Sequence, residues 1–553
     1  MRWFRALMSL ISLNDVSLRY GAHVLLDSAR LQIAEGDRLA IIGRNGCGKT
    51  SLLKIIAGVS EPDSGLVERS RGLSAAYLPQ EVPVGLSGSV YSVVASGLGE
   101  TGRRLARYRE LLPAAGEGHS AAERAEFDAL LHFLDESAAW PLDRRVEETV
   151  ERLELSADAE VGTLSAGLRR RALLGRGLVS NPGMLILDEP TNHLDIDSVV
   201  WLEKFLKSCG KTLVFVSHDR AFLRSLSTRV AEVDRGRIVA FDCGFDEFLA
   251  RRDALLEAEE RNCAVFDKKL AQEEAWLRQG VKARRTRNEG RVRELMKLRE
   301  ARRARRGRQG VAELRVQEGQ QSGRKVMEVK NLGVSYSGRA VIRDFSTTIY
   351  SGDKIGVIGR NGAGKTTLLN ALLGRIRPDS GEVLYGTNLQ VAYFDQLRSE
   401  LDPEMSPFEF VGGGGDFVEV NSRRQNVMGY LQGFLFAPEQ IRGRIGMLSG
   451  GEKNRLMLAK LLTRPANVLV LDEPTNDLDM ETMDILESAL VGFSGTVLLV
   501  SHDRAFLNEI VTGLFCFDEG GEIVELVGGY DEWEAFRARR AASSPEPRRA
   551  APA

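Results

Sequence analysis

The sequence contains an internal repeat, and this feature constrains the fold more than any other. GRNGCGKTSLLKIIAG, beginning at Gly43, returns as GRNGAGKTTLLNALLG beginning at Gly359. LILDEPTNHLD from Leu185 matches LVLDEPTNDLD from Leu469, and VSHDRAFL occurs in both halves. A collinear repeat predicts two copies of one domain. The separation between matched positions is shorter for the later motifs, which places extra residues in the first copy, between Gln80 and Leu164.

Each copy contains G-x-x-x-x-G-K-[ST], the pattern of a phosphate-binding loop. An apolar stretch typical of a strand precedes each loop and an amphipathic stretch typical of a helix follows, which is the context this motif requires. Backbone N–H groups and the lysine of such a loop hold phosphates, so we predict two ATP sites. The predicted phosphate-binding residues are Gly43, Arg44, Asn45, Gly46, Cys47, Gly48, Lys49, Thr50, Ser51, Gly359, Arg360, Asn361, Gly362, Ala363, Gly364, Lys365, Thr366 and Thr367. Upstream of the loops, Tyr20 and Tyr336 are predicted to stack on adenine, with core packing as the alternative.

Two carboxylates end an apolar strand pattern in each copy, in MLILDEP and VLVLDEP. Burying adjacent acids is costly without a partner or a metal. We therefore predict that Asp188 and Asp472 hold Mg²⁺, together with the hydroxyls of Thr50 and Thr366. The catalytic role is predicted for the neighbouring acids, which orient or deprotonate the attacking water, namely Glu189 and Glu473.

Polar residues after other predicted strands complete each site. His218 and His502 follow the glutamates of their own copies at the same spacing, and we predict that they sense the γ-phosphate during catalysis. Gln80 and Gln396 follow short strands, and we predict that they contact the metal or the water.

Together these motifs resemble the ATP-binding cassette superfamily over nearly the whole chain. LSGGE resembles its signature motif, and LSAGL resembles a variant of it. In that family two cassettes face each other head to tail, and each ATP lies between one phosphate loop and the opposite signature. The resemblance implies that site one combines the first phosphate loop with Ser449, Gly450, Gly451 and Glu452. It implies that site two combines the second loop with Ser165, Ala166 and Gly167.

Ala166 departs from the family's glycine at this position. We hypothesise that its methyl group restricts the backbone beside the γ-phosphate, since glycine is the more permissive residue. Site two is then expected to hydrolyse ATP more slowly than site one.

A strongly basic segment separates the copies. Residues 278–308 contain fourteen Lys or Arg and three Glu, a net charge of +11, although the whole chain carries only −2. Arginine favours bidentate contact with phosphate, so the pattern is typical of nucleic-acid binding. The alternative is a solvated spacer. The predicted nucleic-acid contacts are Lys282, Arg284, Arg285, Arg287, Arg291 and Arg293.

Paired cassettes, a first-half arm and this linker resemble the ABC-F family of translation factors. The stretches KLAQEEAWLRQGVKARRTRNEGRVR and NVMGYLQGFLF are similar to bacterial members. The resemblance implies binding in the ribosomal E site, with the linker near P-site tRNA and ribosomal RNA. Similar proteins continue into a C-terminal coiled-coil domain linked to DNA binding. This chain ends in SSPEPRRAAPA instead, so we expect it to lack that domain.

Two other functions remain open. One is a DNA-binding ATPase that acts on branched DNA or in transposon excision. The other is the motor of a transporter whose membrane subunits are separate chains. No run of about 18 or more apolar residues indicates a membrane helix. Five dispersed cysteines fit a reducing compartment, so we expect a cytoplasmic protein that does not bind membranes.

The predicted fold is α/β, with two tandem phosphate-loop cassettes, each a RecA-like core plus a helical subdomain, joined by a long basic helical hairpin. Because one chain supplies both cassettes, no obligatory oligomer is expected. The predicted divisions are an N-terminal extension (1–8), the first cassette (9–248) with a helical arm at about 90–145, the linker (249–325), the second cassette (326–540) and a flexible tail (541–553).

Overall fold

The structure is a computed structural model of the 553-residue chain. It describes residues 9–21, 23–81, 83, 85–112, 120–255, 257–258, 296, 316–320, 322–336, 338–394, 400–420, 423–518 and 520–543. The six basic linker residues and Gln396 lie outside the described residues.

The first cassette is built on a six-stranded sheet. Its strands, in spatial order, are β5 (Ala75–Leu78), β6 (Met184–Asp188), β7 (Thr212–Val216), β3 (Arg38–Ile42), β8 (Arg229–Asp234) and β9 (Arg237–Phe241). All neighbours are parallel except β9, which is antiparallel to β8. The strands β6 and β7 are buried along their whole length, which explains why they are continuous apolar runs.

Alternate residues of these strands face opposite layers. On one face Leu39, Ile41 and Ile186 pack against helix α1 (Lys49–Ala57) and a three-stranded antiparallel sheet. That small sheet has the order β2 (His23–Ala34), β1 (Ser9–Tyr20), β4 (Ser64–Arg69). On the other face the sheet packs against α7 (Ile196–Ser208) and α8 (Arg220–Leu226).

The second cassette repeats this topology. Its large sheet has the order β14 (Val391–Tyr393), β17 (Val468–Asp472), β18 (Thr496–Val500), β12 (Lys354–Ile358), β19 (Gly513–Phe517), β20 (Ile523–Val527). Its small sheet has the order β11 (Arg339–Tyr350), β10 (Lys325–Tyr336), β13 (Ser380–Tyr385). The helices of its core are α9 (Lys365–Leu372), α14 (Met480–Val491), α15 (Arg504–Ile510) and α16 (Tyr530–Ser543).

A mostly helical layer interrupts each cassette. In the first copy it comprises α2 (Val90–Ala95), α3 (Glu100–Leu111), α4 (Ala121–Glu136), α5 (Trp140–Arg152) and α6 (Ala166–Leu178). In the second it comprises α10 (Pro407–Gly412), the hairpin β15 (Phe417–Val420) and β16 (Arg423–Asn426), α11 (Val427–Gly433), α12 (Pro438–Arg442) and α13 (Gly450–Leu462). Helices α3 and α4 lie in the range where the sequence predicts the arm.

Two elements extend across the predicted domain boundaries. Residues 245–255 form one helix that crosses the 248/249 division, and α16 continues past 540 to Ser543. Val316 is buried and Glu318 pairs with Ala466, so the end of the predicted linker packs on the second cassette. The two α/β cassettes confirm the predicted fold class. Among the described helices, none has the length and apolarity to cross a membrane.

Candidate active sites at the cassette interface

The strand order gathers the predicted site residues at one edge of each sheet. In parallel sheets, ligands bind beyond the carboxyl ends of the strands. The first phosphate loop follows β3, His218 follows β7, Glu189 follows β6 and Gln80 follows β5. Since β7 lies between β3 and β6, the histidine stands between the phosphate loop and the carboxylates.

The phosphate loops wrap the N-termini of α1 and α9. Gly48 has a φ of 99° and Gly364 a φ of 112°. Both thus precede their helices in the left-handed conformation, which glycine adopts without strain. The Lys49 Nζ donates to the carbonyls of Gly43 at 2.7 Å and Arg44 at 3.0 Å. Each loop directs a helix N-terminus, which favours anions, at the space in front of it.

In the second loop the lysine makes a further contact. Lys365 Nζ donates to the Gly359 carbonyl at 2.9 Å and lies 3.0 Å from His502 Nε2. Asn361 Oδ1 lies 3.1 Å from the same imidazole nitrogen. The lysine, the histidine and the loop therefore form one hydrogen-bonded group.

The carboxylates of site one are buried beside the loop. Asp188 Oδ2 accepts a hydrogen bond from the Tyr77 hydroxyl at 3.1 Å. Burial raises the pKa of Asp188, and hydrogen bonds from Thr50 and Tyr77 oppose that rise. Burial also raises the pKa of Glu189 to about 8. A carboxyl with a pKa near the working pH is suited to accept a proton.

The carboxylates of site two also lie beside their phosphate loop, but they are half-buried. Thr366 Oγ1 donates to Asp472 Oδ2 at 2.8 Å. Burial raises the pKa of Glu473 to about 7. Both glutamates adopt positive φ, 44° at Glu189 and 48° at Glu473. Such a backbone is uncommon outside glycine and occurs at functional turns.

Each histidine contacts the glutamate of its own cassette. His218 Nε2 lies 3.3 Å from Glu189 Oε1, and His502 Nε2 lies 3.2 Å from Glu473 Oε1. Burial and the neighbouring lysine lower the pKa of both histidines, that of His502 to about 3. Both imidazoles are therefore neutral at physiological pH and can donate or accept a hydrogen bond.

The second signature faces the first phosphate loop. A cavity of about 810 Å³ is lined by Lys49, Glu189 and Gln80 from the first cassette and by Ser449 and Gly451 from the second. A Cβ on Gly451 would stand 2.5 Å from the Asp477 carbonyl and would clash with the Asn45 side chain. The close approach therefore requires glycine at this position. At site one, the signature thus lies opposite the phosphate loop, which is the position that the family resemblance implies.

The two signatures are capped differently. Ser449 caps α13 in a capping box, a reciprocal pair of bonds between the cap and the third helical residue. In this box Glu452 Oε2 accepts from the Ser449 N–H at 2.8 Å. Ser165 caps α6 by accepting from the Leu168 N–H at 3.4 Å. Leu168 stands where the second copy has Glu452, so that reciprocal bond cannot form at α6.

The structure contradicts the hypothesis that the methyl group of Ala166 restricts the backbone at site two. Ala166 begins α6, where any L-residue fits, and a Cβ on the equivalent Gly450 would meet nothing within 4 Å. The methyl group of Ala166 therefore causes no backbone strain. The slower turnover itself stays a prediction.

The loops that follow the carboxylates also bind the opposite cassette, a contact that was not among the predictions. Asn45 donates its side-chain amide to the Asp477 carbonyl at 2.6 Å, and its backbone N–H donates to Asp479 at 3.0 Å. The mirrored contacts join Asn361 to the His193 carbonyl at 2.9 Å and to Asp195 at 3.1 Å. The repeated TN-x-LD motif was the available signal.

Ion pairs between the cassettes repeat the same symmetry. Arg44 pairs with Glu481 at 2.7 Å, and Arg360 pairs with Asp197 at 3.4 Å. The arginines after the histidines also cross the interface, where Arg220 pairs with Glu487 and Arg504 with Glu203.

The predicted adenine-stacking residues are exposed. Tyr20 is 81% and Tyr336 49% exposed, so neither is a core residue. Gln80 lines the cavity of site one and donates to Asp477 Oδ1 at 3.4 Å.

The donor set at site one fits a hard cation. Asp188 Oδ1 is buried and has no hydrogen-bond partner among the described residues, and Thr50 stands beside the same carboxylate. Carboxylate and hydroxyl oxygens next to bound phosphates are the ligands that Mg²⁺ prefers. The residues present thus match the predicted magnesium site.

Two phosphate loops, each beside a pair of carboxylates and the first also facing the opposite signature, define an ATPase with two ATP-binding cassettes in one chain. Similarity to known proteins supports this class. The family described as ABC transporter matches residues 26–192 and 342–476. The ATP-binding protein Uup of Escherichia coli (strain K12) is 45% identical over 95% of this chain and 83% of that protein. The chain belongs to the Uup-like ABC-F ATP-binding proteins, which confirms the family and the ATPase activity predicted from sequence.

The chain is also similar to a protein whose name refers to translation. The energy-dependent translational throttle protein EttA of Mycobacterium tuberculosis (strain CDC 1551 / Oshkosh) is 36% identical over 92% of this chain and 91% of that protein. Among solved structures, archaeal ribosome recycling factor aABCE1, in complex with ribosomal stalk protein aP1, has a TM-score of 0.58 at 22% identity. The alignment covers 95% of this chain and 92% of that chain, and it shows a shared fold.

Proposed function

We propose that this chain hydrolyses ATP at two composite sites and that nucleotide binding and hydrolysis control its residence on the ribosome. The observation that carries the first part is the cavity lined by Lys49 and Ser449, which belong to opposite cassettes. An ATP held there contacts both cassettes at once. Because one chain supplies both halves of each site, no second copy is needed.

The proposed roles of the residues in hydrolysis are as follows. The loop N–H groups, Lys49 and Lys365 hold the phosphates, and the opposite signature serine contacts the γ-phosphate. Glu189 and Glu473 accept a proton from the attacking water, while His218 and His502 orient the γ-phosphate. Thr50 and Asp188 at site one, and Thr366 and Asp472 at site two, would hold Mg²⁺, which would supply positive charge to neutralise the phosphates. Tyr20 and Tyr336 stack on adenine, and Gln80 and Gln396 contact the metal or the water.

Binding and hydrolysis act on the interface between the cassettes. ATP strengthens the closed arrangement because its γ-phosphate contacts both halves, and loss of that phosphate removes the bridge. The phosphate-loop contacts of Asn45 and Asn361 already join the two halves, so nucleotide adds to an existing complementary surface.

The ribosome is the target that the relatives and the linker favour together. A relative at 36% identity over nearly its full length is a translational throttle protein. The +11 segment at 278–308 suits ribosomal and transfer RNA, whose phosphates attract arginine. We propose that the closed form occupies the E site in the cytoplasm, with Lys282, Arg284, Arg285, Arg287, Arg291 and Arg293 near P-site tRNA and ribosomal RNA.

The test is co-sedimentation of the double variant Glu189→Gln/Glu473→Gln with salt-washed ribosomes. With ATP this variant should pellet with ribosomes, because closure persists without hydrolysis, and with ADP it should stay in the supernatant. In the matched control, the six basic linker residues of the double variant are also replaced by glutamine. This change should abolish pelleting with ribosomes but leave ATP binding intact. A double variant that stays free with ATP, or that binds branched DNA in its place, would overturn the ribosomal function.

A further inference from the structure

Helix α6 connects the two predicted sites. Its N-cap is Ser165, the signature residue that the proposed function assigns to site two. Further along the same helix, Arg170 points into the first cassette and is only 6% exposed. The cavity of site one extends to this helix, because Ala166 and Arg170 line it together with Lys49 and Glu189.

The guanidinium of Arg170 binds three backbone carbonyls at site one. Nη1 donates to the Gln80 carbonyl at 2.5 Å, and Nη2 donates to the carbonyls of Asp188 and Glu189 at 3.0 Å each. These are the predicted metal-contacting glutamine, the metal-binding aspartate and the catalytic glutamate. Burial lowers the pKa of Arg170 to about 10, so it keeps its charge at neutral pH. Only arginine carries a rigid, planar fork that can bind several acceptors at once.

The second cassette has no arginine at the matching position. Asn454 stands there, and its amide donates to the Asn476 carbonyl at 3.1 Å. Arg455 follows, and its guanidinium lies near the carbonyls of Phe434 and Leu435. Glu473 keeps the same positive φ as Glu189, so an arginine is not required to form this turn.

The turn at Glu473 forms without an arginine, so we look for the role of Arg170 in the connection that it makes between α6 and the Glu189 turn. It fixes the backbone of the Glu189 turn to the helix whose N-cap, Ser165, is assigned to the other site. Since Arg170 joins α6 to Gln80, Asp188 and Glu189 through three hydrogen bonds, a displacement of α6 would also displace these residues. Catalysis is sensitive to such shifts, since small displacements of a catalytic group lower the rate strongly.

We propose that Arg170 is a positioning residue that couples the sites in one direction, so that ATP at site two raises hydrolysis at site one. This inference rests on the proposed function, because it requires Ser165 to serve site two. The reverse coupling, from Ser449 at site one to Glu473, lacks the arginine and is expected to be weaker.

The test isolates site one with Glu473→Gln and then empties site two with Lys365→Ala. With Arg170 present, emptying site two should lower the kcat of site one about tenfold, a usual strength for coupled sites. With Arg170→Met, kcat should be low whether or not site two binds ATP, while KM at site one stays unchanged. Arg170→Lys should not restore the coupling, because one ammonium lacks the fork.

The matched control is Asn454→Ala, which should leave the response of site one to site two unchanged. Full coupling in Arg170→Met, or full rescue by Arg170→Lys, would overturn the inference. An effect of Lys365→Ala that is equal with and without Arg170 would also overturn it. By contrast, hydrolysis that survives in Glu189→Gln/Glu473→Gln would show that the proposed function itself is wrong.

Discussion

The side-chain amide of Asn45, in the first phosphate loop, donates a 2.6 Å hydrogen bond to the backbone carbonyl of Asp477, 432 residues away in the other cassette. The Asn361 amide makes the mirrored bond to His193. Each phosphate loop is therefore shaped partly by the opposite cassette. A cassette separated from its partner lacks these contacts, so we expect activity to require both halves.

Replacing the two glycines of the second signature with alanine should have different effects. Gly451→Ala places a methyl group 2.5 Å from the Asp477 carbonyl and against Asn45. Overpacking of this kind is among the strongly damaging changes, so ATPase activity at site one should fall at least about tenfold. The matched control is Gly450→Ala, whose methyl group meets nothing within 4 Å and should leave the interface intact. Steady-state ATP hydrolysis, measured in the Glu473→Gln background, distinguishes the two variants. Equal losses of activity would contradict the close packing of Gly451 against Asp477 and Asn45.

The glutamates should contribute unequally to hydrolysis. A general base contributes about 10²- to 10⁴-fold, so the double change Glu189→Gln/Glu473→Gln should lower turnover by about 100-fold or more. If site two is the slower site, Glu189→Gln alone should remove more activity than Glu473→Gln alone. Phosphate release under saturating ATP measures both. Equal losses from the single variants would refute the asymmetry.

Hydrolysis should depend on pH differently at the two sites. A protonated carboxyl cannot accept a proton, so kcat/KM should rise with pH and level off above the pKa of the free enzyme's base. For site one, isolated by Glu473→Gln, the midpoint of this rise is expected at about pH 8. For site two, isolated by Glu189→Gln, it is expected at about pH 7. The substrate is the same in both measurements, so its own ionisation cancels in the comparison. Coincident profiles would contradict the prediction.

The ion pair between Arg504 and Glu203 should matter to stability because both side chains are largely buried, at 14% and 11% exposed. Removing one partner of a buried pair costs about 3–5 kcal/mol, whereas replacing both by apolar residues is often neutral. Arg504→Met should therefore lower the thermal midpoint, and adding Glu203→Leu should restore most of it. Arg30→Met, which breaks the exposed pair with Asp15, is the control and should change little. Additive losses in the double variant would argue against a coupled pair.

The parts of the sites that sequence could predict are those built from local pattern. Apolar runs ending in Asp188–Glu189 and in Ser217–His218 indicated buried strands, and the strand order brings their ends together. Arg170 could not be found in this way, because a run of three arginines on a helix usually faces solvent. Its direction depends on how α6 packs on the sheet.

The contacts between the cassettes could not be predicted from sequence either, because they also depend on how folded elements pack. TN-x-LD is visibly repeated, but its partner depends on how two folded halves dock over hundreds of residues. The linker charges predict a nucleic-acid partner by composition, and Lys282 to Arg293 lie outside the described residues. The adenine contacts of Tyr20 and Tyr336 also stay predictions, because exposure alone assigns no ligand.

The lysine contacts within the phosphate loops have a consequence for affinity. Lys49 and Lys365 donate to the carbonyls of Gly43 and Gly359, so each buried ammonium has acceptors within its own loop. An arriving triphosphate must replace these internal ligands, so binding is an exchange in which part of the new interaction energy offsets the old. Such an exchange favours moderate affinity, and we expect these internal contacts to replace those of the nucleotide when it dissociates.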